Sequence, residues 1–234
     1  MEIKHVLFDL DGTLLPMDMG EFTAGYFGLL TQKLAPRGYD PKGLIDAVWS
    51  GTAAMVKNDG RRTNEEVFWA RFAQIFGEES LKDMPLFEEF YGNEFQQAKK
   101  FCGFNPKAAQ AVRRIKESGR RVALATNPIF PAVATRSRLS WVGLESADFE
   151  LVTTYENSRF CKPNVDYYRE VLDKLGMRGS DCLMVGNDMT EDTAAAQLGM
   201  GVFLITDCLI NKEGRDVNDW PHGGFDELIR FVCG

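Results

Sequence analysis

Two aspartates one residue apart, Asp9 and Asp11, close the apolar run Val6-Leu7-Phe8, and Gly12 and Thr13 follow them. Other reactive groups stand at comparable places further along. Thr126 and Asn127 follow the apolar stretch RVALA. Asp188 follows CLMVG, with Asp192 four residues on, and Lys162 sits in FCKPNVDYY. Four carboxylates, a hydroxyl and an ammonium make up the set. Clustered carboxylates repel one another and resist burial unless something neutralises them. A hard divalent cation does this, and an all-oxygen set without His or Cys favours Mg²⁺ over a transition metal. The chain's two histidines, His5 and His222, fall outside the set, the first early in a strand and the second in a C-terminal loop. Both read as structural or surface residues. A calcium loop of the D-x-D type needs Gly at its sixth position and Glu at its twelfth. Here Gly12 is fourth and Gly20 twelfth, so that reading fails.

These groups work together only if the fold brings them to one place. Five segments read as buried strands: His5 to Asp9, Arg121 to Ala125, Phe149 to Val152, Cys182 to Val185 and Val202 to Ile205. Helical patterns separate the later ones. One opens at Asn105-Pro106 and stops at Gly119, one runs from Val165 to Leu175 before Gly176, and one follows Asp192 and stops at Gly199. Strand and helix in alternation imply right-handed crossovers and a parallel sheet covered on both faces. The fold class is therefore α/β, a doubly wound, Rossmann-like parallel-sheet core. Such sheets bind ligands outside the carboxyl ends of their strands, which is where the reactive groups fall.

The first unit breaks the rhythm. Between Asp9 and Arg121 the sequence shows helical spacing, as in GEFTAGYFGLLTQKLA and NEEVFWARFAQIFG. We expect residues 16–101 to form an inserted helical module, with residues 1–15 and 102–234 forming the core. Its apolar stripes (Phe22, Tyr26, Leu29, Leu30; Val67, Phe68, Phe72, Phe76) are expected to build a small core of their own.

Composition narrows the class. The formal net charge is −7, and the basic residues fall in isolated pairs, so no nucleic-acid partner is expected. Five cysteines without a CxxC spacing argue against a disulfide framework or a zinc site and fit a reducing cytoplasm. No apolar run approaches the ~20 residues of a membrane span, and no signal peptide is recognisable.

With these residues in place, the chain resembles the haloacid dehalogenase-like hydrolases. VLFDLDGTL is similar to that family's first motif, LATN to its second, CKP to its third and VGNDMTED to its fourth, all in the family's order. Its C1-type cap lies between motifs one and two, where this chain has its helical insertion, as in phosphoglycolate phosphatase and β-phosphoglucomutase-type members. The resemblance implies Mg²⁺-dependent hydrolysis of a small phosphate monoester. Asp9 would be the nucleophile that becomes an aspartyl-phosphate, and Asp11 the general acid and base. Asp9, Asp188 and the carbonyl of Asp11 would hold the metal. Thr126, Asn127, Lys162 and the turn at Gly12 would hold the phosphoryl group, and Asp192 would orient Lys162 or metal waters. Thr126 as a cap of a helix beginning near Pro128, and Asp192 as a helix N-cap, are the plainer readings.

In C1-capped relatives a cap loop also reaches the substrate. KNDGRRTNEE supplies the candidates Lys57, Asn58, Arg61 and Arg62, although an exposed turn with a Thr63–Glu66 capping box explains it equally. Met17 and Asp18 lie at the expected hinge. A sugar-phosphate mutase shares all four motifs and remains an alternative. A receiver-type signalling module, or a phosphate- and Mg²⁺-binding protein without catalysis, is the alternative from another class. The expected partner is a small phosphorylated metabolite, and the expected state is a monomer or weak homodimer.

Overall fold

Val6, Leu7 and Phe8 are fully buried because the strand that carries them is central to a sheet. The computed structural model describes residues 2–234. Strands β1 (His5–Phe8), β2 (Arg121–Leu124), β3 (Cys182–Gly186), β4 (Gly201–Ile205) and β5 (His222–Gly223) lie in the order β2-β1-β3-β4-β5, all parallel. Phe8 is level with Leu124 on one side and Val185 on the other. The three strands therefore end together, and the residues after them emerge at one edge. The chain reverses its direction across the sheet at β1 and β3, which makes their carboxyl ends the switch-point crevice.

Alternate residues point to opposite faces. Leu7, Ala123, Met184 and Val202 pack on one face, against helix α7 (Val165–Leu175). Val6, Phe8, Val122, Leu183 and Val185 pack on the other, in an apolar cluster with helices α5 (Pro106–Glu117), α6 (Ala132–Trp141) and α8 (Phe225–Cys233).

Between β1 and β2 the chain forms α1 (Met19–Leu34), α2 (Pro41–Val56), α3 (Asn64–Phe76) and α4 (Met84–Gly92), with 3-10 stretches at Glu78–Asp83 and Glu94–Phe101. Helix α1 is capped by the Asp18 carboxylate, which accepts from the Glu21 amide at 2.8 Å, so that residue has a structural role. A capping box of Thr63 and Glu66 opens α3. The chain enters and leaves this insertion side by side, where buried Met17 bridges Cys102 and the Gly103 amide donates to the Pro16 carbonyl at 2.7 Å.

Four expectations need correction. Phe149 to Val152 is an extended edge rather than a strand, touching β2 through a single Leu124–Val152 bridge and three flanking backbone bonds. The segment after Asp192 is a 3-10 turn, Thr193–Leu198, and not an α-helix. His222 sits in the short β5 rather than a loop, with its Nδ1 2.9 Å from the Trp220 carbonyl. Finally, the core of the insertion, where Phe68, Trp69, Phe72 and Phe87 pack on one another, is continuous with that of the sheet and not separate from it. Its aromatic residues join the sheet-side cluster, with Tyr26 5.6 Å from Phe130 and Phe95 5.4 Å from Trp141 between ring centres. Phe72, Phe90 and Phe95 are fully buried there, and truncating such a residue to Ala costs about 3–5 kcal/mol.

Candidate active site

Asp9 leaves the end of β1 with its backbone tied to β3, its amide donating to the Val185 carbonyl at 2.9 Å. Its carboxylate meets Lys162 Nζ at 3.0 Å and the Thr13 hydroxyl at 3.1 Å. Lys162 is fully buried and reaches a second carboxylate, Asp192 Oδ1, at 2.7 Å. Asp192 does not cap the turn that follows it. Its Oδ2 accepts instead from the amides of Asn187 and Asp188 at 3.0 and 2.9 Å. Lys162 therefore bridges two buried carboxylates, each fixed from a different strand end.

Two glycines make this arrangement possible. Gly12 has φ +83°, and a Cβ there would lie 2.2 Å from Asn187 Nδ2. Asn187 needs that space, because it accepts from Thr13 at 3.0 Å and donates to the Cys208 carbonyl at 2.7 Å. A Cβ on Gly186 would lie 2.0 Å from Asp192 Oδ2, so only glycine lets Asp192 fold back under β3.

Burial pushes the Asp9 and Asp192 carboxyls up from their ordinary range, and Lys162 opposes this in both. Burial also disfavours the Lys162 ammonium, but the paired attraction of Asp192 and Asp9 outweighs that and holds it well above its usual value. One ammonium between two carboxylates leaves the cluster net negative. Asp188 adds to the excess. Its Oδ1 accepts from the amides of Thr190 and Glu191 at 2.7 and 2.9 Å, while Oδ2 has no protein partner among the described residues.

A hard cation suits this donor chemistry. Among the described residues, no three His, Cys, Asp or Glu side chains already converge as a metal cage. Asp9, Asp188 and the Asp11 carbonyl would supply two carboxylates and one main-chain oxygen. That is the sparse oxygen set with which Mg²⁺, retaining several waters, is usually held.

The other predicted residues divide. Thr126 does not cap a helix, because α6 begins only at Ala132. Its carbonyl is fixed by Thr153 Oγ1 at 2.7 Å and Tyr167 OH at 2.9 Å, and its hydroxyl has no protein partner among the described residues. Asn127 Nδ2 donates to Glu191 at 3.1 and 3.2 Å, and its buried Oδ1 is unpartnered. Asp11 turns away from Lys162. Its Oδ2 pairs with Arg138, a wholly buried guanidinium on α6 that stacks 4.3 Å from the Phe130 ring, while its Oδ1 is buried without a partner.

Of the insertion candidates, Lys57 and Arg62 are exposed, and Arg61 pairs with Asp59. Buried Asn58 serves the fold instead of a ligand. Its Nδ2 donates to the Arg62 carbonyl and to Asn64 Oδ1, both at 2.9 Å. Asn64 in turn ties α3 to the core. Its amide donates to the Ser158 carbonyl at 2.8 Å and its Nδ2 to the Pro128 carbonyl at 3.1 Å.

Sequence reasoning missed Arg138, Glu191, Asn187 and Asn64. Glu191 was the findable one, standing between Asp188 and Asp192 in NDMTED. Burial pushes its carboxyl up to about 8, with Lys162 pulling the other way. No local spacing ties Arg138 to Asp11.

Comparison with known proteins agrees with this layout. Residues 3–199 match the model of a family described as a hydrolase, haloacid dehalogenase-like hydrolase. A glyceraldehyde 3-phosphate phosphatase of Methanothermobacter thermautotrophicus is 26% identical over 227 residues, covering 92% of this chain and 94% of that protein. A HAD phosphatase from Thermococcus onnurineus superposes with a TM-score of 0.62 at 22% identity, over 100% of this chain and 99% of its own. A putative HAD-hydrolase of Bacillus subtilis, solved with magnesium, gives 0.55 at 16% identity over 99% of both chains. Carboxylates at the switch point of a 2-1-3-4-5 sheet, with a helical insertion after the first strand, and a family match over most of the length lead to one conclusion: this chain belongs to the haloacid dehalogenase-like hydrolases.

Proposed function

We propose that the protein is a Mg²⁺-dependent phosphatase that hydrolyses a small phosphate monoester through an aspartyl-phosphate on Asp9. The observation that carries this reading is the buried Asp9–Lys162–Asp192 chain at the switch point. A phosphate monoester is a dianion and is repelled by an anionic nucleophile. Lys162 lies against Asp9 and offsets that repulsion where the attack occurs. The free Thr126 hydroxyl and the Asn127 amide would hold the phosphoryl oxygens. Mg²⁺ held by Asp9, Asp188 and the Asp11 carbonyl would supply further charge neutralisation.

An Asp9 oxygen forms a bond to phosphorus as the P–O bond to the alcohol breaks. Protonated Asp11 gives its proton to the departing oxygen. The resulting Asp11 carboxylate then takes a proton from water, which attacks phosphorus and breaks the P–O bond to Asp9. Inorganic phosphate leaves and both residues are restored. Arg138 would orient Asp11 through Oδ2 and leave the unpartnered Oδ1 to carry the proton.

The test is hydrolysis of p-nitrophenyl phosphate with Mg²⁺, with EDTA, and by Asp9→Asn. We expect turnover only with metal, abolished in the variant. Equal turnover by Asp9→Asn would overturn the reading.

A further inference from the structure

The insertion and the core enclose a chamber of about 160 Å³ whose sixteen lining residues include ten aromatic and no charged side chain. An apolar cavity of about 150 Å³ stays dry and accepts a benzene ring. The size is thus that of one six-membered ring. The chamber belongs to the same edge of the sheet as the candidate active site. Ile129, Phe130 and Pro131 form its core-side wall, and they follow Asn127 directly; the Ile129 amide donates to the Asn127 carbonyl at 2.9 Å. The Phe130 ring faces the chamber and also carries Arg138, which pairs with Asp11. Met19 and Trp49, 43% and 51% exposed, belong to its lining and open it to solvent. Among these walls the Trp69 indole N–H is buried and faces the Tyr155 hydroxyl.

We propose that this chamber receives the non-phosphate part of the substrate, and that this part is a compact six-membered ring, aromatic or alicyclic, carrying at most one hydrogen-bonding oxygen. The inference rests on the phosphatase reading. A polyol or a sugar would bring several hydroxyl groups against walls that are mostly aromatic, where the Tyr26 and Tyr91 hydroxyls already bond each other and only Thr23, Thr52 and Tyr155 offer others, and unsatisfied buried polar groups are costly. A ring loses nothing there and gains burial.

The test compares kcat/KM for benzyl phosphate and glyceraldehyde 3-phosphate in the wild type and in Thr52→Phe, a substitution on the chamber wall. Both substrates release primary alcohols, so the contrast reads binding more than leaving-group acidity. We expect benzyl phosphate to be favoured about ten- to a hundredfold, the value of burying one ring. Thr52→Phe should erase the preference by lowering kcat/KM for benzyl phosphate about ten- to a hundredfold. If Thr52→Phe does not fold, Thr52→Leu should reduce the preference part-way. Benzyl alcohol titrated into the metal-free wild type should change tryptophan emission saturably, and this signal should be lost in the filled variant. A preference for glyceraldehyde 3-phosphate, or no binding of benzyl alcohol, overturns the proposal. Failure to hydrolyse p-nitrophenyl phosphate would instead overturn the phosphatase reading, and the alcohol titration would still report on the chamber.

Discussion

Arg138, buried to 0% exposure on α6, closes its guanidinium on the carboxylate of Asp11, 127 positions earlier in the chain. The guanidinium is also braced by Thr135 Oγ1 at 3.3 Å and by the Phe130 ring. A buried cation fixed from several sides can hold a mobile carboxylate in one orientation.

Replacing Arg138 by Met should therefore affect the acid step selectively. In the phosphatase reading, kcat/KM for an alkyl phosphate should fall about a hundredfold, while that for p-nitrophenyl phosphate, whose phenolate leaves without a proton, should fall much less. The variant also leaves a mostly buried carboxylate unpaired, which costs about 3–5 kcal/mol, visible in urea denaturation. An equal loss on both substrates would mean that Arg138 serves only the fold.

Gly186→Ala should displace Asp192, because the new Cβ would stand 2.0 Å from its Oδ2. Lys162 would then lose its second anchor. We expect kcat to drop about ten- to a hundredfold, with the circular dichroism spectrum retained. Wild-type kcat in this variant would show that Lys162 needs only Asp9.

Asn64→Leu should loosen the insertion from the core. Its side-chain amide bonds Pro128 and Asn58, and replacing it strands those partners, at about 1–3 kcal/mol for each buried group left unsatisfied. Amide exchange should accelerate at the start of α3 and in residues 157–161 before it changes in β1. Uniform acceleration everywhere would show global destabilisation instead.

Burial pushes the Cys161 thiol up to about 12 and the Cys182 thiol up to about 11. Because the neutral thiol is the folded form, the thiolate that attacks reagents is scarce at pH 8, about one part in ten thousand for Cys161. Raising the pH from 7 to 9 should speed their labelling by a disulfide reagent about a hundredfold, in step with the thiolate, yet leave it at pH 9 far slower than that of an unperturbed thiol. Unfolding in guanidinium should release both at once. Rapid native labelling of Cys161, read by mass spectrometry, would contradict its placement.

How much of this was legible follows from distance along the chain. The DLDGT turn, the LATN end of β2 and the NDMTED segment each carry their geometry in a few adjacent residues, so motif and strand end could be read together. Phe149 to Val152 has strand-like composition, but it lies outside β2, where one bridge and three backbone bonds hold it without a continuous ladder. The aromatic stripes of α1 and α3 announce a buried face without saying whose. Only the folded chain shows Phe130 and Trp141 completing it. Arg138 and Asn64 look like ordinary helix residues, and their roles come from partners far away in sequence.

The insertion sits between two strands that are hydrogen-bonded in register, Phe8 beside Leu124. Everything from residue 9 to residue 120 must be gathered before that pair can close. Loop closure grows costlier with length, and non-local pairs form late. The insertion's aromatic residues pack largely on one another, as at Phe68–Trp69 and Phe72–Phe87, and meet Phe130, Trp141 and Tyr155 along one side, so its helices gain burial by collapsing first. Helix collapse can thus precede the closing of the central strands, and refolding should show an early helical signal before the slower pairing of β1 with β2.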